Sequence, residues 1–202
     1  MSASPSHHPN AALLHAAASG QLSPGVSRIL NAHARLCTLC RTTMDRIESL
    51  GGAELELERD AELAAGALDR ALAAIAKVVT SPPLDESLAA LPEAVKDLVA
   101  PAVDKVSWRT GGPGLRILDL ALPSVAEGET FQVFRIEPGH GPPRHTHGGQ
   151  EFTLVLTGAF KDETGTYRCG DIAIGDENVT HRPVAEPGEI CYALAVTTAP
   201  LK

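Results

Sequence analysis

Residues 139–158 read GHGPPRHTHGGQEFTLVLTG, a Gly/Pro-rich approach that runs into a clear β-strand pattern. Within it His145, His147 and Glu151 are separated by even numbers of residues. In an extended strand side chains alternate between faces, so even spacing puts two imidazoles and a carboxylate on one side. A later strand can add His181 to them. Three His and one Glu make a mixed N/O donor set for a divalent metal, zinc first, with iron, manganese and nickel also tolerated. Working outward, the runs LRILDLAL (115–122), TFQVFRIE (130–137), DIAIG (171–175) and ICYALAVTT (190–198) alternate with Gly and Pro clusters. Short strands punctuated in this way signal an all-β sandwich or barrel.

The spacing Gly139-x5-His145-x-His147-x3-Glu151-x6-Gly158 resembles the first motif of the cupin family. The second motif is partly kept. Gly170 lies eleven residues before His181 as expected, while Asp176, Asn178 and Ala185 replace the usual proline, glycine and asparagine. The resemblance implies a jelly-roll β-barrel over residues 105–202, its metal held by His145, His147, Glu151 and His181. No nucleophile or second acid–base set stands beside these residues. Cys169 and Cys191 read as buried structural thiols before redox-responsive ones.

Residues 1–80 have another texture. Asn10 can cap a helix AALLHAAAS that ends at Gly20, and Ser23-Pro24 supplies an N-cap and an N1 proline for a second helix running toward His33. A third helix is expected from Cys40 to Leu50, stopped by Gly51-Gly52, and a fourth, the longest, within residues 58–79. Leu63, Leu68, Leu72, Ile75 and Val79 give that last segment an apolar stripe, whose commoner fate is packing inside the domain and whose other is a partner interface. Ser81-Pro82-Pro83 breaks the pattern, and residues 81–104 read as a linker with a short helix near residues 93–99.

The helical part carries His33-x3-Cys37-x2-Cys40, three zinc-competent side chains on one face of a helix or of a helix bent after Cys37. Zinc takes four N/S ligands in structural sites, so a fourth is required, and His7, His8 and His15 all lie upstream within reach. A closed site of this kind clamps short helices that have little aromatic core of their own. Aromatic residues are only 3% of the chain.

Charge excludes a further class of function. The 17 Lys and Arg against 25 Asp and Glu leave −8, shared equally between the two halves, and neither half has the clustered basic face that nucleic acid requires. A basic protein partner suits this surface better. No apolar run approaches a membrane span, and the start MSASPSHHPN lacks the pattern of a secretory signal, so the cytoplasm is the expected location.

A helical zinc module followed by one cupin resembles the ChrR family of zinc-binding anti-sigma factors along the entire chain. The likeness rests on His33-x3-Cys37-x2-Cys40 behind His7-His8, and on the His145/His147/Glu151/His181 set. It extends to Trp108-Arg109-Thr110, to residues 151–160 and to Lys161-Asp-Glu-Thr164. Family spacing, 25 residues before the motif histidine, implies His8 as the fourth zinc ligand. The resemblance further implies a non-enzymatic α+β protein that inhibits an ECF-type sigma factor through its helical domain. Release would come through the cupin domain during the response to singlet oxygen or related oxidants. The competing expectation is a metal-dependent cupin enzyme, dioxygenase-like, with a helical regulatory or dimerisation domain.

Overall fold

The computed structural model describes residues 4–76, 89, 91–93, 96, 107–120 and 128–200. Helix α1 spans Ala11–Ala18, and Asn10 caps it by accepting the Leu13 amide at 2.9 Å. Helix α2 spans Pro24–Leu36, three residues beyond His33, with Ser23 as its N-cap. Cys37 then adopts an extended conformation (φ −121°, ψ 105°) that separates α2 from α3, Thr38–Leu55. The expected stop at Gly51-Gly52 is not used: both glycines stay helical and neither has a positive φ. A glycine inside a helix costs about 1 kcal/mol against alanine, which lowers helix stability without forcing an end.

The fourth helix begins later than expected. Helix α4 is described over Ala67–Ala76, and Gly66 takes a left-handed conformation (φ 71°) that resets the chain before it. The stripe on this segment is not packed: Leu63, Leu68, Leu72 and Ile75 are all more than half exposed, and α4 buries no residue. Val79 and nearly all of the expected linker and its short helix lie outside the described residues.

Among the described residues nine strands build the barrel: β1 Arg109–Gly112, β2 Leu115–Asp119, β3 Thr130–Ile136, β4 Glu151–Thr157, β5 Ala159–Lys161, β6 Thr166–Arg168, β7 Ile172–Gly175, β8 Val184–Ala185 and β9 Cys191–Thr197. One sheet runs β1-β2-β3-β9-β4-β7 and the other β6-β5-β8, and every pairing is antiparallel. Strands β4 and β9 are buried on both faces, which explains their near-continuous apolar sequence. Phe152, Leu154, Leu156, Leu194 and Val196 point out of the barrel into one cluster with Ile29 and Leu30 of α2. Val155 and Cys191 point inward to Ile117 and Phe160.

Helix α2 is thus docked on the barrel wall. Its N-cap Ser23 hydroxyl donates to the buried Glu129 carboxylate, which lies against the first turn, where the helix dipole favours an anion. Gly25 permits this approach, since a Cβ there would stand 2.9 Å from the Glu129 carboxyl.

Candidate metal centres

In the helical cluster, donor atoms of His8, His33, Cys37 and Cys40 all lie within 4.8 Å of one another. The break at Cys37 turns its thiol and the Cys40 thiol toward the end of α2. His33 Nε2 is 3.2 Å from Cys40 Sγ, and His8 Nδ1 is 3.4 Å from Cys37 Sγ and 3.5 Å from Cys40 Sγ. The two sulfurs and two nitrogens suit zinc in both type and number. Of the three upstream histidines, the fold delivers His8. The His7 ring lies against Tyr167 instead, with centroids 4.5 Å apart, and His15 is exposed.

The His33 ring is oriented from behind. Its Nδ1 is 2.8 Å from the Gly170 carbonyl, which can only accept, so Nδ1 carries the proton and Nε2 presents its lone pair to the cluster. Burial pulls the His33 pKa below 6.5, keeping the ring neutral. In the metal-free chain burial and the neighbouring Cys37 push Cys40 up to about 12, so a bound cation must displace the thiol proton.

The second cluster also closes within 4.8 Å: His145, His147, Glu151 and His181. They do not share one strand. His145 sits in an isolated bridge with His181, residues 148–149 bend, and β4 begins only at Glu151. Convergence therefore comes from this bridge and bend rather than from strand alternation. His147 Nε2 and His145 Nε2 lie 3.1 and 3.2 Å from His181 Nε2. Glu151 Oε2 is 3.6 Å from His147 Nε2 and 3.5 Å from His181 Nε2. Outer-nitrogen partners orient two of the three rings, while His147 Nδ1 is buried without one among the described residues. His145 Nδ1 donates to the Pro143 carbonyl, and His181 Nδ1 to Asp162, each at 2.8 Å. Lone pairs facing one another beside a carboxylate fit a cation.

Without metal, a proton can take that place. Burial opposes charge on His181, but hydrogen bonds to Asp162 and Glu151 outweigh it and raise its pKa to about 9. Burial likewise opposes ionisation of Asp162, yet His181 and the Thr164 donors bring it to about 2. Asp162 was missed as a functional residue in the sequence. Its visible signal is the Asp-x-Thr turn, whose amides at Thr164 and Gly165 bind Oδ1 and leave Oδ2 for His181. Asp176 similarly closes the turn before His181 by accepting the Asn178 amide, without the family's proline and glycine.

A cavity of about 340 Å³ opens beside this second set, walled by Leu115, Ile117, Phe134, Ile136 and Phe160. The remaining thiols stand apart. Cys191 is fully buried, and Cys169 is half-buried with its sulfur 3.0 Å from the Leu156 carbonyl. Among the described residues no helix is long and apolar enough to cross a membrane.

Residues 96–201 match a family model described as the ChrR cupin-like domain. Over 197 residues the chain is 37% identical to anti-sigma-E factor ChrR of Cereibacter sphaeroides, spanning 97% of this chain and 91% of that protein. The crystal structure of Rhodobacter sphaeroides SigE in complex with the anti-sigma ChrR aligns with 96% of this chain and 99% of the matched chain, at 36% identity and TM-score 0.75. An RmlC-like cupin from Ralstonia eutropha aligns with 63% of this chain and 74% of its own at 14% identity and TM-score 0.43, too distant to inform function.

Proposed function

This chain belongs to the ChrR family of anti-sigma factors, and from that premise we propose that it binds an ECF-type sigma factor, withholds it from RNA polymerase, and releases it under oxidative stress such as singlet oxygen. It is a regulator rather than an enzyme, and its partner is a protein rather than nucleic acid. The cytoplasm, where RNA polymerase works, is the compartment this role requires.

The observation that carries the reading is α4. Leu68, Leu72 and Ile75 recur at helical spacing on one face, and all three stay exposed on a helix that buries nothing in this chain. An apolar helical stripe left in water is a docking face for a partner's groove. Zinc at His8, His33, Cys37 and Cys40 fixes how the three preceding helices cross, and so where that face is carried. A divalent metal at His145, His147, Glu151 and His181, zinc first, makes the barrel the signal-input module. The apolar cavity beside it gives a small oxidant or its product room to reach those ligands. We place the boundaries at residues 1–80 for the anti-sigma domain, 81–104 for the linker and 105–202 for the cupin.

Co-expression of the zinc-loaded chain with its cognate sigma factor tests this. A stable complex that blocks transcription in vitro is expected. Failure to retain the sigma factor would overturn it. Replacing His145 and His147 together by Ala is expected to leave inhibition intact and alter the oxidant response.

A further inference from the structure

The helical metal cluster is finished by groups from the barrel. Gly170 and Asp171 immediately precede β7, the last strand of its sheet. The Gly170 carbonyl accepts from His33 Nδ1 at 2.8 Å. Asp171, 1% exposed, accepts the backbone amides of Ser6 at 2.6 Å and His7 at 2.9 Å, directly before the ligand His8. The His7 carbonyl in turn accepts the Ile172 amide at 3.3 Å, so the N-terminal arm lies along the free edge of β7. The fit at this corner is close. Gly170 has φ 90°, and a Cβ on it would stand 2.7 Å from Pro5 Cγ.

The same strand reaches the other metal cluster. Its last residue, Gly175, pairs with Glu151, and a Cβ at Gly175 would stand 3.7 Å from His147 Nε2. Between Gly170 and Gly175 the chain covers roughly 17 Å at strand rise. One short segment therefore supplies an outer partner of one cluster at its start and lies against two ligands of the other at its end.

We propose that Gly170 and Asp171 are positioning residues of the helical zinc centre, so that β7 makes the grip on zinc depend on the state of the barrel site. This rests on the zinc assignment proposed above. Asp171 holds the arm that carries His8, and Gly170 holds the tautomer of His33. Any change at Glu151 or His147 that shifts β7 along its length alters both at once. Loss of such outer partners typically weakens metal binding 10- to 100-fold.

Cobalt(II) added to the full-length protein is the probe, because only the helical cluster has thiolates and hence a sulfur-to-cobalt charge-transfer band. Absence of that band in the parent would overturn the zinc assignment and this inference with it. Given the band, chelator competition followed at it is expected to show about 10- to 100-fold weaker retention in Asp171→Ala. Ser6→Pro, which removes both donors of Ser6 to Asp171, amide and hydroxyl, at an exposed position and alters no barrel residue, is expected to weaken it several-fold. Ser6→Pro decides the matter if Asp171→Ala does not fold. His147→Ala, which disables the barrel site, is expected to change retention in the parent background and not in the variant that has lost the arm contact. A merely structural Asp171 would leave those two effects additive. Retention within about twofold of the parent in every folded variant, or additive effects, would overturn the proposal.

Discussion

His33 and Gly170 are 137 residues apart in sequence, yet the ring Nδ1 of one and the carbonyl of the other stand 2.8 Å apart. The contact joins the two parts of the chain at an imidazole that faces the Cys37 and Cys40 thiols. The helical cluster is therefore part of the docking between helices and barrel as well as a clamp within the helices.

Removing a thiol is expected to undo that clamp. Cys40, 1% exposed in the first turn of α3, faces His33 of α2, and a metal held there would clamp the short helices together. Cys40→Ala should drop bound zinc from about two ions per chain to about one, melt part of the far-UV helical signal and abolish sigma binding. Metal analysis with circular dichroism checks the first two outcomes, and co-purification the third.

A charge on the open stripe is expected to act only on the partner. Leu72 is 54% exposed and contributes nothing to the core, so Leu72→Glu should leave the melting temperature within a degree or two. A leucine buried in a complex contributes about 1.5–3 kcal/mol, so the variant should bind the sigma factor roughly 10- to 100-fold more weakly. Calorimetric titration against the wild type measures it.

The stripped barrel should respond to pH in a defined direction. His181, raised from 6.5 to about 9, adds stability that is complete below pH 6.5 and lost as pH rises through 9. Asp162, lowered from 3.8 to about 2, adds stability that is present above pH 3.8 and lost as pH falls through 2. The metal-free protein should therefore be most stable between roughly pH 4 and 6.5, as far as this pair decides. Asp162→Asn should flatten the decline toward pH 9. Thermal melts in chelator across that range test the sign.

Native-state alkylation should separate the two remaining cysteines. Burial pushes Cys191 up to about 12, with Glu189 adding to the rise, and the residue is inaccessible. Cys169 is also raised by burial but half-buried. With zinc bound, iodoacetamide should label at most about one thiol per chain, at Cys169, as read by peptide mass spectrometry.

The barrel and the residue types gathered in both clusters were legible in the sequence, because metal-competent side chains are few in kind and strands punctuate their apolar runs. The residues alone left His7, His8 and His15 open, and only the family spacing pointed to His8. Asn10 and Ser23 were legible for a similar reason: capping oxygens are a short list. Gly51-Gly52 misled because glycine weakens a helix without ending it unless its φ turns positive, as it does at Gly66. The fate of the Leu68–Leu72–Ile75 face could not be read, since periodicity reveals an apolar side but not what covers it. Gly170 and Asp171 stayed hidden for a more general reason. A carbonyl belongs to every residue, and only the tertiary path sets one against His33.

Because that path closes so late, synthesis imposes an order. A ribosome delivers His8 through Cys40 long before Gly170 exists, so any ion the nascent helices took up would meet a His33 imidazole still free to choose its proton. Only when the final strands emerge and fold back is the choice made for it, which leaves the last turn of the lock to the end of translation.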